Sequence, residues 1–320
     1  MSDAGVAASS HTPSSADRVL AIKETILAAG DLPTLPLVAL EVTRLAENPL
    51  TSVAEMVRLI RNDPSLTARI LRVANSAYYG MPQRIDSLNT ALAVLGIKEI
   101  SSLVTSISVV KTFPAREGEP GTPTEDRRVG EALDLQVFWE HSAGCAEIAR
   151  VMAAKLQLHF HGAEFTAGLL HDVGKLVLDQ HFHDEFLAAR ELQFADHLSS
   201  AEAERRVLGV DHAEIGSWLA ETWSLPLEIA EAIRYHHDPK LAHVNRVLTC
   251  VIHLADVISK AIVQEASRAQ WNRNLVKDDA WEILMLGNPE IRQLDVAAFA
   301  RELEENIQRA REFTRHALDA

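Results

Sequence analysis

The sequence predicts an all-α fold, and three observations carry that prediction. Apolar residues recur at helical spacing, as in Leu66, Ile70, Val73 and Ala74. Cap residues precede such stretches, and glycine or proline follows them. No segment shows the sustained alternation of a half-buried strand, and no internal repeat is visible.

The elements follow in order. Residues 1 to 16 are rich in Ser, Ala and Thr and read as a disordered tail. A helix is predicted from Asp17 to Ala29, stopped by Gly30, and Asp31 to Pro36 reads as a loop. VALEVTRLA forms the next helix, ended by Asn48-Pro49. Ser52 with Glu55 makes a capping-box pattern. Asp63-Pro64 starts another helix, with aspartate as N-cap and proline at the first position. NSAYYG closes it, where Asn75, Ser76, Tyr78 and Tyr79 read as residues satisfying a helix end. Two further helices span Ser87 to Leu95 and Ile97 to Phe113, divided by Gly96.

Residues 114 to 130 change composition sharply to proline, glycine and charge, and read as a linker. Beyond it come a long helix from Leu133 to Leu156 and a helix from Glu164 to Asp172. Helices over Asp184 to His197 and Ser200 to Leu208 follow, then one from His212 to Trp223 capped by Asp211. Pro226 opens a helix ending near Tyr235, and His243 to Val263 forms a long one. Lys277 to Leu286 and Asp295 to Ala317 complete the chain. The division is therefore a tail (1–16), an N-terminal helical subdomain (17–113), a linker (114–130), a second helical core (131–265) and C-terminal helices (266–320).

Composition narrows the function. Apolar residues make up 47% and charged residues 24%, as in an ordinary globular chain. No apolar run approaches the ~20 residues of a membrane span. The first residues lack a basic start and an apolar core, so no signal peptide is expected. The two cysteines, Cys145 and Cys250, read as small core residues in a reduced, cytoplasmic setting. A net charge of −14 argues against direct nucleic-acid or anionic-membrane binding. It leaves room for a small anionic ligand beside a local cation.

The stretch GLLHDVGKLVL, Gly168 to Leu178, concentrates the chemistry. Adjacent helical residues point about 100° apart, so His171 and Asp172 reach one ion only from a helix end or bend. Gly174 is expected to supply that end in a left-handed conformation. The other candidate ligands are His141, His212, His236, His237 and Asp256. Imidazoles and carboxylates suit Fe, Mn, Zn or Ni. Seven candidates exceed a tetrahedral zinc set and suit a two-metal site. His159, His161, His181 and His183 read as solvated loop histidines, and Trp218 and Trp223 as packing anchors.

These residues carry a resemblance. GLLHDVGK, the later His-His pair and the still later Asp256 resemble the HD superfamily of metal-dependent phosphohydrolases. The layout from Leu32 to Ile258 is closer to its HDOD branch, the HD-related output domains of bacterial signalling. It includes LPTLP, DPSLTARILRVANSAYYG, TALAVLGIKEI, WEHS, DHAEIGSWLAETWSLP and YHHDP. The resemblance implies an N-terminal helical subdomain packed on an HD-like helical core. It implies that His171, Asp172, His212, His236, His237 and Asp256 hold metal, with His141 as a further ligand. Lys175 matches a lysine near the substrate phosphate in the HD-GYP phosphodiesterases. After His236-His237 this chain reads DPKLAHVN, without the GYP signature.

Two functions are therefore expected. The first is a bacterial signalling output module with a metal site and a protein partner, contacted through the N-terminal helices or the linker. The second is a metal-dependent phosphohydrolase acting on a nucleotide or other phosphate ester. In that mechanism Asp172 bridges two divalent ions, Lys175 neutralises phosphoryl oxygens, and His237 or another group handles protons.

Overall fold

The computed structural model describes residues 15–28, 35–76, 79–113, 133–263 and 277–287. The expected linker, the helix at 295–317 and nearly all of the tail lie outside them. The described residues are helical, with no strand among them.

The first helix, α1 (Ser15–Ala28), begins two residues earlier than its composition suggests. It lies on the second half of the chain, with the Lys23 ammonium 5.1 Å above the Trp218 ring. The N-terminal half then builds α2 (Leu37–Ala46), α3 (Val53–Ile60), α4 (Pro64–Ala74), α5 (Leu88–Leu95) and α6 (Ile97–Thr112). Local sequence sets these boundaries. Ser52 and Glu55 cap each other's backbone at the start of α3, and the Asp63 carboxylate accepts from Leu66 N–H at the start of α4. Asn75 ends α4 and braces the following loop through both groups of its side-chain amide, bonded to Ile85 N–H and C=O.

The second half is wound round α7 (Leu135–Lys155). It continues through α8 (Ala163–Leu170), α9 (Gly174–His181), α10 (His183–Asp196), α11 (Ser200–Leu208), α12 (His212–Thr222), α13 (Leu227–Tyr235) and α14 (Arg246–Val263). A 3-10 turn at Pro239–Leu241 joins α13 to α14, so the last long helix starts three residues later than expected. The final described helix, α15 (Asp279–Gly287), packs on α14. Trp218 and Trp223 are buried, as packing anchors should be.

One core runs through both halves. The halves meet where α6 lies against α8, and Ser102 on α6 donates to the Gly162 carbonyl at 2.6 Å and contacts Thr166. The Phe113 ring meets Trp223 edge-on at 6.4 Å. Among the described residues no single helix is long and apolar enough to cross a membrane. Helices α5 and α6 would pass such a test only as a pair bent by 116°, and their apolar faces belong to the core.

One local expectation is overturned. Gly174 is not a left-handed cap; it has no positive φ and opens the unanticipated helix α9. Its glycine is needed for space instead. A Cβ there would overlap the backbone carbonyl oxygen of His212, so α9 and α12 touch backbone to backbone. Gly168 does the same for α8 against α7, where a Cβ would fall 2.7 Å from Ala146 Cα.

Candidate metal centre

Every residue of α8 is buried, and the chain leaves its end through a tight turn at His171-Asp172-Val173. This turn, rather than a glycine cap, lets His171 and Asp172 face the same space. From there the structure brings all seven candidate ligands together as two adjoining groups. His141 on α7, His171 and Asp256 on α14 form the first. His212 at the start of α12, with His236 and His237 after α13, forms the second.

Asp172 spans the two groups. Its Oδ1 lies 3.0 Å from His212 Nε2 and 3.7 Å from His236 Nε2. Its Oδ2 lies 3.5 Å from His171 Nε2 and 3.9 Å from His141 Nε2. Asp256 Oδ1 stands 3.1 Å from His141 Nε2 and 3.5 Å from His171 Nε2. His237 Nε2 faces His212 Nε2 at 2.9 Å.

The rings are aimed from behind. His171 Nδ1 bonds to the Gly168 carbonyl at 2.8 Å, and His236 Nδ1 to the Ile233 carbonyl at 2.7 Å. His212 Nδ1 bonds to Glu204 at 2.6 Å, and His141 Nδ1 meets Ser259 Oγ at 3.2 Å. Each contact uses the outer nitrogen, which leaves Nε2 turned toward the centre. Metal-binding histidines are oriented in this way.

Four inward atoms find no hydrogen bond among the described residues: His171 Nε2, His236 Nε2, Asp172 Oδ1 and Asp256 Oδ1. All four belong to buried residues. The two carboxylate oxygens keep imidazoles at ion-pair distance, Asp172 Oδ1 3.0 Å from His212 Nε2 and Asp256 Oδ1 3.1 Å from His141 Nε2. Unpaired buried polar atoms are costly, and four of them spread over the two adjoining groups call for partners. A divalent cation is a partner all four can accept.

The electrostatics prepare four of these residues for such an ion, whereas against the effect of burial Cys145 and Asp256 push His141 up to about 10, and Glu204 and Asp172 push His212 up to about 9. Burial opposes ionisation of Asp172, but Lys175 and the surrounding imidazoles hold its carboxyl well below the usual range. Burial likewise opposes the charge on Asp256, and Lys260 with His141 and His171 overcomes it. Burial and the neighbouring His237 keep His236 neutral, and burial with His212 brings His237 down to about 2. Two carboxylates and two neutral imidazoles are thus in ligand form. Lys175 Nζ holds Asp172 Oδ2, and Lys260 Nζ holds Asp256 Oδ2, each at 2.6 Å. Each carboxylate is therefore pinned through one oxygen and open through the other.

Sequence reasoning missed Glu204, Ser259 and Lys260. Lys260 follows Asp256 by one helical turn, so its spacing held a signal. Glu204 sits on α11 and reaches His212 on α12, a tertiary contact with no sequence pattern. Cys145 was read as a core residue and is buried, yet its Sγ lies 3.6 Å from His141 Nε2. The flanking histidines divide. His159 and His161 are exposed in the loop before α8, whereas His181 and His183 are half-buried at helix ends, and His183 pairs with Asp179 at 3.0 Å.

An all-helical core thus collects histidines and aspartates from α7, α12 and α14 and from the turns after α8 and α13. Residues 32–239 match the HDOD domain model, and the chain belongs to that family. The fold is shared with an HDOD domain protein of unknown function from Geobacter sulfurreducens, with a TM-score of 0.73 and 24% identity over 95% of this chain and 99% of that one. It is shared with a provisionally named phosphohydrolase from Shewanella amazonensis SB2B, at a TM-score of 0.70 and 23% identity over 94% and 98% of the two chains. A provisionally named signal transduction protein from Marinobacter aquaeolei VT8 gives a TM-score of 0.66 and 22% identity, over 95% of this chain and 65% of that one. Among curated proteins, an uncharacterized protein of Treponema pallidum is 25% identical over 77% of this chain. Ribonuclease Y of Thermus thermophilus is 30% identical over 51% of it. The chain spans less than half the length of these curated relatives, 45% and 23% respectively.

Proposed function

We propose that the chain is a bacterial signal-transduction output module of the HDOD type, built round a divalent-metal centre in its second half and docking a protein partner. The four unpaired inward atoms carry the metal assignment. The burial of the centre favours a module over an enzyme. His171 and His236 are wholly buried and Asp172 nearly so. The His141 and Lys175 side chains are only 17% and 15% exposed. An ion in such a place braces five helices against one another. The signal-transduction name of the Marinobacter neighbour agrees with this reading.

The residues divide the work. His171, His236, Asp172 and Asp256 would hold the ion, with His141, His212 and His237 completing the two groups. When bound, a divalent ion supplies Lewis acidity and lowers the pKa of nearby water. Glu204 fixes the tautomer of His212. Lys175 and Lys260 neutralise the outer carboxylate oxygens.

A second reading, a metal-dependent phosphohydrolase, is favoured by the same two lysines. Lys260 is 41% exposed, and its ammonium lies at the rim of the centre where a phosphoryl group would approach. The names of the Shewanella neighbour and the Ribonuclease Y relatives point the same way.

Elemental analysis of the purified chain, beside a His171→Ala/Asp172→Ala variant, tests the centre. Near-stoichiometric metal in the wild type, lost in a variant with unchanged circular dichroism, supports it. Absence of metal from both, after growth with Fe, Mn and Zn supplied, overturns it. The metal-loaded protein is then assayed on mono- and diester nitrophenyl phosphates. Chelator-sensitive turnover lost in Asp172→Ala would make the second reading the correct one.

A further inference from the structure

We propose that Cys145 is a ligand of the centre, and that its sulfur makes the His141–His171–Asp256 group selective for a thiophilic divalent ion such as Zn2+ over Mg2+ or Mn2+. The inference rests on the metal-centre reading above.

Cys145 follows His141 by one turn of α7, so both side chains leave the same face of the helix. The Cys145 Sγ lies 3.6 Å from His141 Nε2. Thiolate and imidazole ligands on one tetrahedral ion, at about 2.3 and 2.0 Å, stand about 3.5 Å apart. One ligand atom from each of Cys145, His141, His171 and Asp256 lies within 4.8 Å of the others. The contact between Cys145 and His141 therefore has the spacing of two ligands sharing an ion.

The cysteine does not stand alone. His171 Nε2 and Asp256 Oδ1 turn toward the same space, and neither has a hydrogen bond among the described residues. Both residues are more than nine-tenths buried. A simple S–H to imidazole bond would account for Cys145 and His141 but leave these two atoms 3.5 Å apart with no hydrogen bond of their own. A cation satisfies all four at once. On binding, the Cys145 S–H bond breaks, sulfur keeps the electron pair that it gives to the ion, and the proton leaves to solvent. Sulfur is the soft member of a set otherwise made of nitrogen and oxygen, and it penalises hard oxygen-seeking ions. Cys250 lies on α14 outside the cluster and serves as the internal control.

The test is a Co2+ titration of the full chain followed by absorption spectroscopy. A near-ultraviolet sulfur-to-cobalt charge-transfer band should appear with the visible cobalt bands. Cys145→Ser should abolish the near-ultraviolet band and keep the visible ones, whereas Cys250→Ser should keep both. Zinc affinity should fall by about 10- to 100-fold in Cys145→Ser, and Mn2+ affinity should change far less. Visible bands without the near-ultraviolet band in the wild type would overturn the role of Cys145 and leave the metal centre standing. No cobalt spectrum at all would overturn both. The wild-type spectrum decides the point even if a Cys145 variant fails to fold.

Discussion

A single oxygen of Glu204 accepts two hydrogen bonds from His212, one from its backbone N–H at 2.7 Å and one from its ring Nδ1 at 2.6 Å. The carboxylate thus holds the first residue of α12 by both ends of the residue. It fixes the imidazole tautomer, and with it the direction of Nε2. Glu204→Ala should lower metal affinity by about 10- to 100-fold without removing any ligand. Competition against a chromogenic chelator measures this, and unchanged affinity would show that His212 does not need its partner or does not bind.

In the proposed centre Asp172 would serve both histidine groups, since its two oxygens face different ones. Asp172→Ala should lose more metal than His237→Ala. Metal content per chain, measured after equal dialysis, checks the order, and equal losses would argue against a shared aspartate.

Gly174→Ala should be strongly destabilising although the side chain added is one methyl. The new Cβ would overlap the His212 carbonyl, and backbone cannot swing aside as a side chain can. The expected loss is about 3 kcal/mol, at the upper end for overpacking. Urea unfolding measures it, and a loss under about 1 kcal/mol would mean that the α9–α12 contact is loose.

Stability should depend on pH through Glu164. Burial pushes its carboxyl from 4.5 up to about 7; Glu99 adds to the shift, while the Gly162 N–H and Arg150 oppose it. Between those values the unfolded chain has ionised and the folded chain still holds the proton. The folded state binds more protons there, so stability falls as pH rises from 4.5 to 7 and the penalty is complete above 7. Glu164→Gln keeps the acceptor for Gly162 and removes the charge. It should be more stable than wild type by roughly 2 kcal/mol at pH 8 and nearly equal to it at pH 4.5. Thermal unfolding at both pH values checks this, and the reverse order would show that ionised Glu164 is stabilised by its neighbours.

Much of the fold was legible because its signals are local. Ser52-Glu55, Asp63-Pro64 and Asp211 each cap the helix that their positions announce. Spacing made the candidate ligands legible as residue types, and only the family resemblance implied that they act as a set, since their convergence is a matter of tertiary packing. Gly174 shows the limit clearly. Its sequence context suggests a helix stop, but its reason for being glycine is a helix 38 residues further on. Glu204 was invisible for the same reason: a charged residue in a polar helix looks like a solvated one until α12 is laid against it.

Helix α8 has one more consequence. Its beginning is fastened to the N-terminal half by Ser102, through the Gly162 carbonyl and Thr166. Its other end is the turn that carries His171 and Asp172. Between them lie two turns of fully buried helix, about 12 Å of nearly incompressible strut. In the proposed module, this strut would tie the seat of the ion to α6, so a partner that shifts α6 would be felt at His171 and Asp172.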